Sequence, residues 1–357
     1  MSMTTLIPAP TAARDKTRTD TMRAAVVTTA GEPLVVADVP IPTPGRHQAL
    51  VKVLASGVCH TDLHAARGDW PVAPKGDLIP GHEGYGEVIA LGEGVTTLEV
   101  GQKVGNAWLW SACGTCEYCR TGWETLCPEQ QNGGYSVDGS FGEYMLVDER
   151  FAARIPDGAD PIEVAPILCA GVTVYKGLKM TGVRPGEWVT ISGIGGLGHI
   201  AVQYARAMGM RVAAVDVDDA KLELARAHGA EVTVNASQQD PGEAIQAATG
   251  GTHGVLVTAV HPKAFDQALQ VVRRGATIVF NGLPPGTFDA DIFDIVLRAI
   301  TIRGSIVGSR QDMVEALDFY ARGQIHPTVS VESLDDINDI FERMERGNID
   351  GRIVMTY

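Results

Sequence analysis

The sequence predicts an α/β protein in two parts: a doubly wound parallel sheet, and a β-rich domain that carries a small metal-stiffened lobe. Three observations predict it. From about Gly186 strand-like and helix-like runs alternate, as successive βαβ units require. Before that, residues 22–160 break into short strand-like runs punctuated by Gly and Pro. Within that first part, four cysteines crowd into the fifteen residues Cys113–Cys127. A chain of 357 residues is also too long for one small core, so two domains are expected.

The chain opens on "MSMTTLIPAPTAARDKTRTD", which mixes Pro, Thr and charge. It has no apolar core segment or cleavage signature, and Asp15 and Asp20 are unlike a transit peptide. Residues 1–21 therefore read as a disordered tail, with folded sequence starting near Met22 in "MRAAVV". The strand-like runs "ALVKVLASGV", "GYGEVIALGEGV" and "GEYMLVD" place a β-rich domain over 22–162. A nucleotide-binding domain is expected over 163–305. Its strands are "EWVTIS", "RVAAVD", "EVTVN", "GVLVTAV", "ATIVFNG" and "TIRGSIV". Its helices are "GLGHIAVQYARAMG", "DAKLELARAHG", "PGEAIQAATG", "PKAFDQALQVVRRG" and "FDIVLRAI". Residues 306–357, with the helix "DMVEALDFYARG" and the strand "GRIVMTY", do not continue the series and are expected to return to the first domain.

The formal net charge of −14 argues against nucleic acid or an anionic membrane as partner. No run of 18 apolar residues is present, so no transmembrane helix is expected, and the chain reads as cytoplasmic. Without a secretion signal, the six cysteines point to metal rather than to disulfides.

"SGIGGLGH" carries Gly193-x-Gly195-x-x-Gly198 directly after a strand and at the start of a helix. Such glycines let the backbone approach a pyrophosphate, and the helix start offers free N–H groups. Asp216 ends the next strand, 18 residues after Gly198. A carboxylate there accepts from the adenosine ribose hydroxyls and repels a 2′-phosphate, which favours NAD over NADP. The plainer reading of Asp216 is a cap on the following helix.

"CGTCEYCRTGWETLC" spaces Cys113, Cys116, Cys119 and Cys127 as C-x2-C-x2-C-x7-C. Four thiolates fill a tetrahedral zinc completely, so this metal is structural. An iron–sulfur cluster would use the same ligands, but nothing else in the sequence points to electron transfer. A zinc-ribbon nucleic-acid binder conflicts with the acidic balance. Two cysteines remain, Cys59 in "GVCHTDLH" and Cys169 in "PILCAGVTVYKGL", with His82 and Glu83 between them in "PGHEGYGEV". A Cys, a His and a second Cys would make a three-ligand zinc site with one position open, although ligands so far apart cannot be assigned by spacing.

The ordered set "GVCHTDLH", "PGHEGYGEV", "CGTCEYC", "CAGVTVYKGL" and "GIGGLGHIAVQYA" resembles the zinc-dependent alcohol dehydrogenases of the medium-chain dehydrogenase family, nearest the tetrameric bacterial and yeast type. The resemblance runs from about Met22 to Tyr357 and implies a GroES-like catalytic domain beside a Rossmann domain. It implies two zinc ions per chain. One is catalytic on Cys59, His82 and Cys169, and one is structural on the four-cysteine cluster. It implies that Glu83 lies near the metal, that Asp62 orients His82, and that Thr61 takes the alcohol proton and His64 passes it to water. It places His60 and Arg352 toward the coenzyme pyrophosphate, and assigns Gly196, Leu197, Lys221 and Val260 to the NAD cleft. Trp70 and Trp108 would narrow the pocket toward small primary alcohols. Taken singly, His60 and His64 read as surface histidines, the two tryptophans as core and Asp62 as a helix cap. The resemblance further implies a homotetramer acting on small alcohols and aldehydes, with secondary alcohols or polyols as the alternative substrates.

Overall fold

The computed structural model describes residues 20–357, and in it two β-sheets share one apolar seam. Residues 1–19 of the expected tail lie outside the described residues. Thr21, the last residue of that tail, already pairs: the strand Thr21–Val26 runs antiparallel to Val35–Pro40.

The later half folds as the alternating pattern requires. Six parallel strands lie side by side in the order Val232–Asn235, Arg211–Asp216, Trp188–Ser192, Thr252–Val257, Val272–Phe280 and Thr301–Gly304. Numbered along the chain, that order is 3-2-1-4-5-6, the doubly wound arrangement. Trp188–Ser192 is buried along its whole length, because helices cover both faces. The order reverses between Trp188–Ser192 and Thr252–Val257. The loops leaving those two strands border a crevice, starting from Gly193 and Thr258, where Thr258 Oγ1 donates to the Gly193 carbonyl oxygen at 2.6 Å.

One boundary differs from expectation. "PKAFDQALQVVRRG" was expected as one helix, but the helix Pro262–Val271 stops where the strand Val272–Phe280 starts. Val272 pairs with Thr252, and Gly275 sits at φ +75°, so sheet pairing outweighs the helix preference of the arginines. The longer of the helices that were not anticipated are Ala170–Thr181, which follows Cys169, and Ile337–Glu345. The first is buried on nearly every side, so it shows no amphipathic period to read. Among the described residues no single helix is long and apolar enough to cross a membrane.

The other sheet has seven strands. Its path runs Val329–Ser333, Arg352–Thr356, Gln48–Val58, Gly84–Leu91, Lys103–Asn106 and Ala153–Arg154, with Tyr144–Asp148 also paired to Gln48–Val58. The strands after residue 306 thus join the sheet of the first half. Arg352–Thr356 lies antiparallel to the end of Gln48–Val58, with Ile353 opposite Val58, which sets Arg352 beside Cys59. The seam between the sheets is apolar. Ala55, Tyr85 and Val354 from one side share a cluster with Ile167, Leu168, Ile191 and Ile200 from the other.

The Gln48–Val58 and Gly84–Leu91 pair is close enough to demand glycine at one place. A Cβ on Gly86 would lie 2.2 Å from the Lys52 carbonyl oxygen. Gly86→Ala should therefore cost about 1–3 kcal/mol through forced separation of the strands. A thermal melt of the purified variant checks it, and an unchanged midpoint would show that the strands yield freely.

Candidate active site

Three chain turns converge behind the crevice. Cys59 ends the strand Gln48–Val58 and caps the helix His60–Arg67. His82 stands in the tight turn before Gly84–Leu91, and Cys169 caps the buried helix Ala170–Thr181. All three are buried. His82 Nε2 lies 3.2 Å from Cys169 Sγ. One donor atom from each of Cys59, His82, Glu83 and Cys169 falls within 4.8 Å of the others. Two sulfurs, one imidazole nitrogen and a nearby carboxylate suit a tetrahedral zinc. Glu83 Oε2 is buried and has no hydrogen-bond partner among the described residues, which leaves a lone-pair donor free beside this group.

Asp62 organises this set. Its carboxylate is fully buried. Oδ1 lies 2.7 Å from His82 Nδ1 and accepts from the Gly81 amide at 3.1 Å, while Oδ2 accepts from the Cys59 amide at 2.9 Å. Burial alone would lower the His82 pKa, but the Asp62 carboxylate overrides it and holds it well above the ordinary value. The Cys169 hydrogen bond, helped by His82, holds Cys59 well below the usual thiol range. Cys169 is pushed up by the same contact and by burial. The three residues therefore favour a shared proton or a cation between them.

Behind the metal donors, Arg352 Nη2 donates to Glu83 Oε1 in an ion pair that is almost wholly buried. Burial, and then Cys59 nearby, push Glu83 up to about 7 against the pull of Arg352. Gly57 makes the room for this carboxylate, since a Cβ there would lie 1.9 Å from Glu83 Oε2. The other guanidinium nitrogen, Nη1, would lie 3.1 Å from a Cβ on Gly196, so Arg352 also braces the glycine loop.

The glycines of that loop differ in purpose. Gly193 sits at φ +92° against the Ala259 amide, and a Cβ on Gly198 would lie 1.8 Å from the Gly193 carbonyl oxygen. A Cβ on Gly195 would meet nothing within 4 Å: the backbone there faces open crevice, the room a pyrophosphate needs. Asp216 ends its strand with Oδ2 accepting from the Ile194 amide at 2.6 Å and Oδ1 from the Val217 and Asp218 amides. It does not cap the next helix. Asp218 does that, accepting from Ala220.

Both groups open into one cleft of about 630 Å³. Its walls include His60, Thr61, His64, Leu197, Lys221 and the exposed Val260. His64 Nδ1 is 3.0 Å from the Asp69 carboxylate, and its ring stacks on Trp70 at 5.6 Å. Trp70 meets Trp108 edge-on at 5.7 Å, and Trp108 meets the His82 ring edge-on at 5.5 Å. Tyr135 packs on both tryptophans at 5.4 and 5.5 Å. The cleft above the metal donors is thus walled by aromatics. His60 is exposed and lines the cleft, yet the protein crowded around its ring and the Arg352 charge hold it below its ordinary pKa.

The four clustered cysteines also bring their sulfurs within 4.8 Å of one another. Cys113 Sγ accepts from the Cys116 amide at 3.3 Å and from Thr115, which holds it down to about 6. Burial pushes Cys119 up to about 12. Four sulfurs packed this closely, one of them already supported by backbone amides, suit a closed tetrahedral metal. The lobe is tied to the body by the buried Glu124 with Arg310 Nε at 2.9 Å, and by Thr125 with Lys176 at 3.1 Å.

Sequence reading missed Asp69, Tyr135 and Gly57. Asp69 was available as an acid five residues after His64, but Tyr135 and Gly57 carry no local signal.

Residues 45–157 match the family described as alcohol dehydrogenase GroES-like domain, and residues 196–322 the family described as zinc-binding dehydrogenase. An alcohol dehydrogenase of Moraxella sp. (strain TAE123) is 61% identical over 336 residues, spanning 94% of this chain and 99% of that one. Among solved structures, the alcohol dehydrogenase of Aeropyrum pernix superposes with a TM-score of 0.87 at 32% identity, covering 94% of this chain and 100% of that one. The acetophenone reductase of Geotrichum candidum, in complex with NAD, gives 0.84 at 32% identity, with 95% and 98% covered.

If Asp62 fixes the His82 ring, Asp62→Asn should weaken metal binding at the buried site about 10–100-fold while sparing the cysteine lobe. Competition with a graded zinc chelator reads this directly, and one tightly held metal lost together with its usual affinity is the expected result. Two metals retained with unchanged affinity would refute it.

Proposed function

The chain belongs to the zinc-dependent alcohol dehydrogenases of the medium-chain dehydrogenase family, and from that premise we propose that it interconverts small primary alcohols and aldehydes using NAD and two zinc ions per chain. One observation carries the reading: the Cys59, His82 and Cys169 donors and the glycine loop with Asp216 open into the same cleft. Cys59, His82 and Cys169 would hold the catalytic zinc, and the four clustered cysteines the structural one. When bound, the zinc supplies Lewis acidity at the alcohol oxygen and the nicotinamide supplies the two-electron acceptor.

The protein's own groups do the rest. Asp62 takes the Nδ1–H of His82 and leaves Nε2 as the donor atom facing the sulfurs. Thr61 and His64 stand three residues apart on one helix, on the same face, which suits a hydroxyl that accepts the alcohol proton and an imidazole that carries it to the rim. Asp69 holds His64 Nδ1, so the ring's other nitrogen is free to exchange. Lys221 and Arg352 supply positive groups to the coenzyme side of the cleft, His60 supplies a neutral hydrogen-bonding ring, and Leu197 and Val260 form an apolar wall. The Asp216 carboxylate has lone pairs beyond its three amides for ribose hydroxyls, and its charge disfavours a 2′-phosphate. The aromatic wall of Trp70 and Trp108, backed by Tyr135, supports small primary alcohols. Secondary alcohols are the second reading, favoured by the likeness to a reductase named for the ketone acetophenone.

For assembly we propose a homotetramer. The helix Ile292–Arg298 exposes Ile292, Phe293, Val296 and Leu297, and the edge strand Thr301–Gly304 lies beside it, an apolar face that calls for cover. A cytoplasmic setting suits six cysteines that stand as free thiols in two metal-type groups.

A panel of primary, secondary and aromatic alcohols with NAD, followed by NADH absorbance and paired with zinc quantitation, tests the reading. Two zinc ions per chain and fastest turnover of short primary alcohols are expected; faster turnover of secondary alcohols would transfer the assignment to the second reading. Asp216→Gly should raise kcat/KM for NADP relative to NAD by roughly tenfold or more. An unchanged ratio would remove Asp216 from coenzyme selection. Light scattering should return the mass of four chains, and the mass of one chain would sink the tetramer.

A further inference from the structure

Within the motif "GLGHIAVQYA" two polar side chains are buried on the helix Gly198–Ala207 and have no part in the chemistry above: His199 and Gln203. They lie four residues apart, on one face. Gln203 pairs with the backbone of His326 in both directions. Its Oε1 accepts from the His326 amide at 2.7 Å and its Nε2 donates to the His326 carbonyl at 3.1 Å. His199 forms the next rung. Its Nδ1 lies 3.0 Å from the Gly195 carbonyl oxygen, and the Thr328 amide donates to its Nε2 at 3.3 Å. A carbonyl on one side and an amide on the other leave one neutral tautomer, with the proton on Nδ1. Burial, assisted by Arg352 and His228, holds the ring down to about 4, so it stays in that form near neutrality.

The chain of contacts continues. The Thr328 carbonyl accepts from the Arg352 amide at 2.9 Å and presses on Gly351, where a Cβ would lie 2.3 Å from that oxygen. Arg352 in turn holds Glu83 and flanks Gly196. The peptide unit between Gly195 and Gly196 is planar, so drawing its carbonyl toward His199 turns its N–H the opposite way. Gly195 and Gly196 both line the cleft. That carbonyl also accepts from the His199 backbone amide at 3.3 Å, so the ring adds a second, shorter bond that fixes the peptide, and with it the aim of the Gly196 amide, from outside the cleft.

We propose that His199 is a positioning residue for coenzyme binding: it fixes the Gly195–Gly196 peptide for a dinucleotide phosphate and ties it, through Thr328, to the strand that carries Arg352. The proposal rests on the coenzyme reading above and deepens it by naming what presets the loop.

Three variants of the full-length, zinc-loaded enzyme separate the two rungs. His199→Leu removes both hydrogen bonds. His199→Asn keeps an N–H donor near the Nδ1 position, facing Gly195, and loses the contact to Thr328. His199→Gln reaches toward Thr328 and loses the donor to Gly195. NADH binding is read by fluorescence titration, alongside zinc content, thermal midpoint and the KM and kcat for NAD. His199→Leu should weaken NADH binding about tenfold, the usual consequence of stranding a buried polar group. The KM for NAD should rise with it, while kcat at saturating NAD and zinc content stay within about twofold. His199→Asn should restore most of the affinity, and His199→Gln should not. If the Leu variant fails to fold, the Asn and Gln pair decides: NADH binding equal in the two, or tighter in Gln, overturns the proposal. So does wild-type affinity in a folded Leu variant. Failure of the unaltered enzyme to bind NADH would instead overturn the coenzyme reading, and the proposal with it.

Discussion

A single buried carboxylate holds the site together. Asp62 has no exposed surface, so its charge is tolerable only because every neighbour pays it attention: two backbone amides and one imidazole nitrogen. Those three donors come from the turn at Cys59 and the turn at Gly81 and His82, which are otherwise separate. Asp62 therefore sets the separation of two metal donors and the tautomer of one of them in the same act. A carboxylate in that position would be a liability in a core without such donors.

The second constraint is the way the chain returns. Arg352 is brought beside Cys59 only because the last strand pairs antiparallel with the strand that ends there. Once there, its guanidinium spans two structures of different origin: Glu83 behind the metal donors and the glycine loop of the parallel sheet. Glu83 stays poised near neutrality, as burial raises its pKa while Arg352 lowers it. One of its oxygens is committed to Arg352 and the other has no partner among the described residues. That asymmetry suits a carboxylate able to face a cation and withdraw from it without losing its anchor. The glycine loop and the Cys59, His82, Glu83 and Cys169 group are thus joined through protein, by a charged pair that cannot easily be rearranged because it is desolvated.

What was legible in the sequence is what lies in contiguous spacing. The glycine loop, Asp216, the four clustered cysteines and the six-strand series each carry their physics within a short window, and each appears where it was expected. The helix Ala170–Thr181 escaped notice because burial on all sides erases the period that marks a surface helix. The end of Pro262–Val271 was misplaced because pairing of Val272 with Thr252, twenty residues away, decided it. Asp69, Tyr135, Gly57 and His199 were missed for a related reason. Tyr135 and Gly57 act on residues brought near by folding, while Asp69 and His199 lie close in sequence to His64 and Gly195 but match no spacing rule that marks them out. The scattered donors Cys59, His82 and Cys169 fall between these cases: spacing alone left them open, and only their order among other motifs raised them.

The cysteine lobe shows why a second metal-type group belongs in such a fold. Around it the apolar packing is slight: Leu109, Ala112, Cys127 and Phe151 form the whole buried cluster. Apolar burial on that scale cannot order some fifteen residues against their chain entropy. A closed four-thiolate site can, because its binding free energy becomes folding free energy. The order so obtained does not stay local. Thr125, between two of the cysteines, receives a hydrogen bond from Lys176, which stands two turns along the helix capped by Cys169. Glu124 beside it grips Arg310 at the start of the helix Arg310–Ala321, just after the chain has left the parallel sheet. The lobe therefore braces the helix capped by Cys169 and the segment that leads back to Arg352, on the two flanks of the cleft.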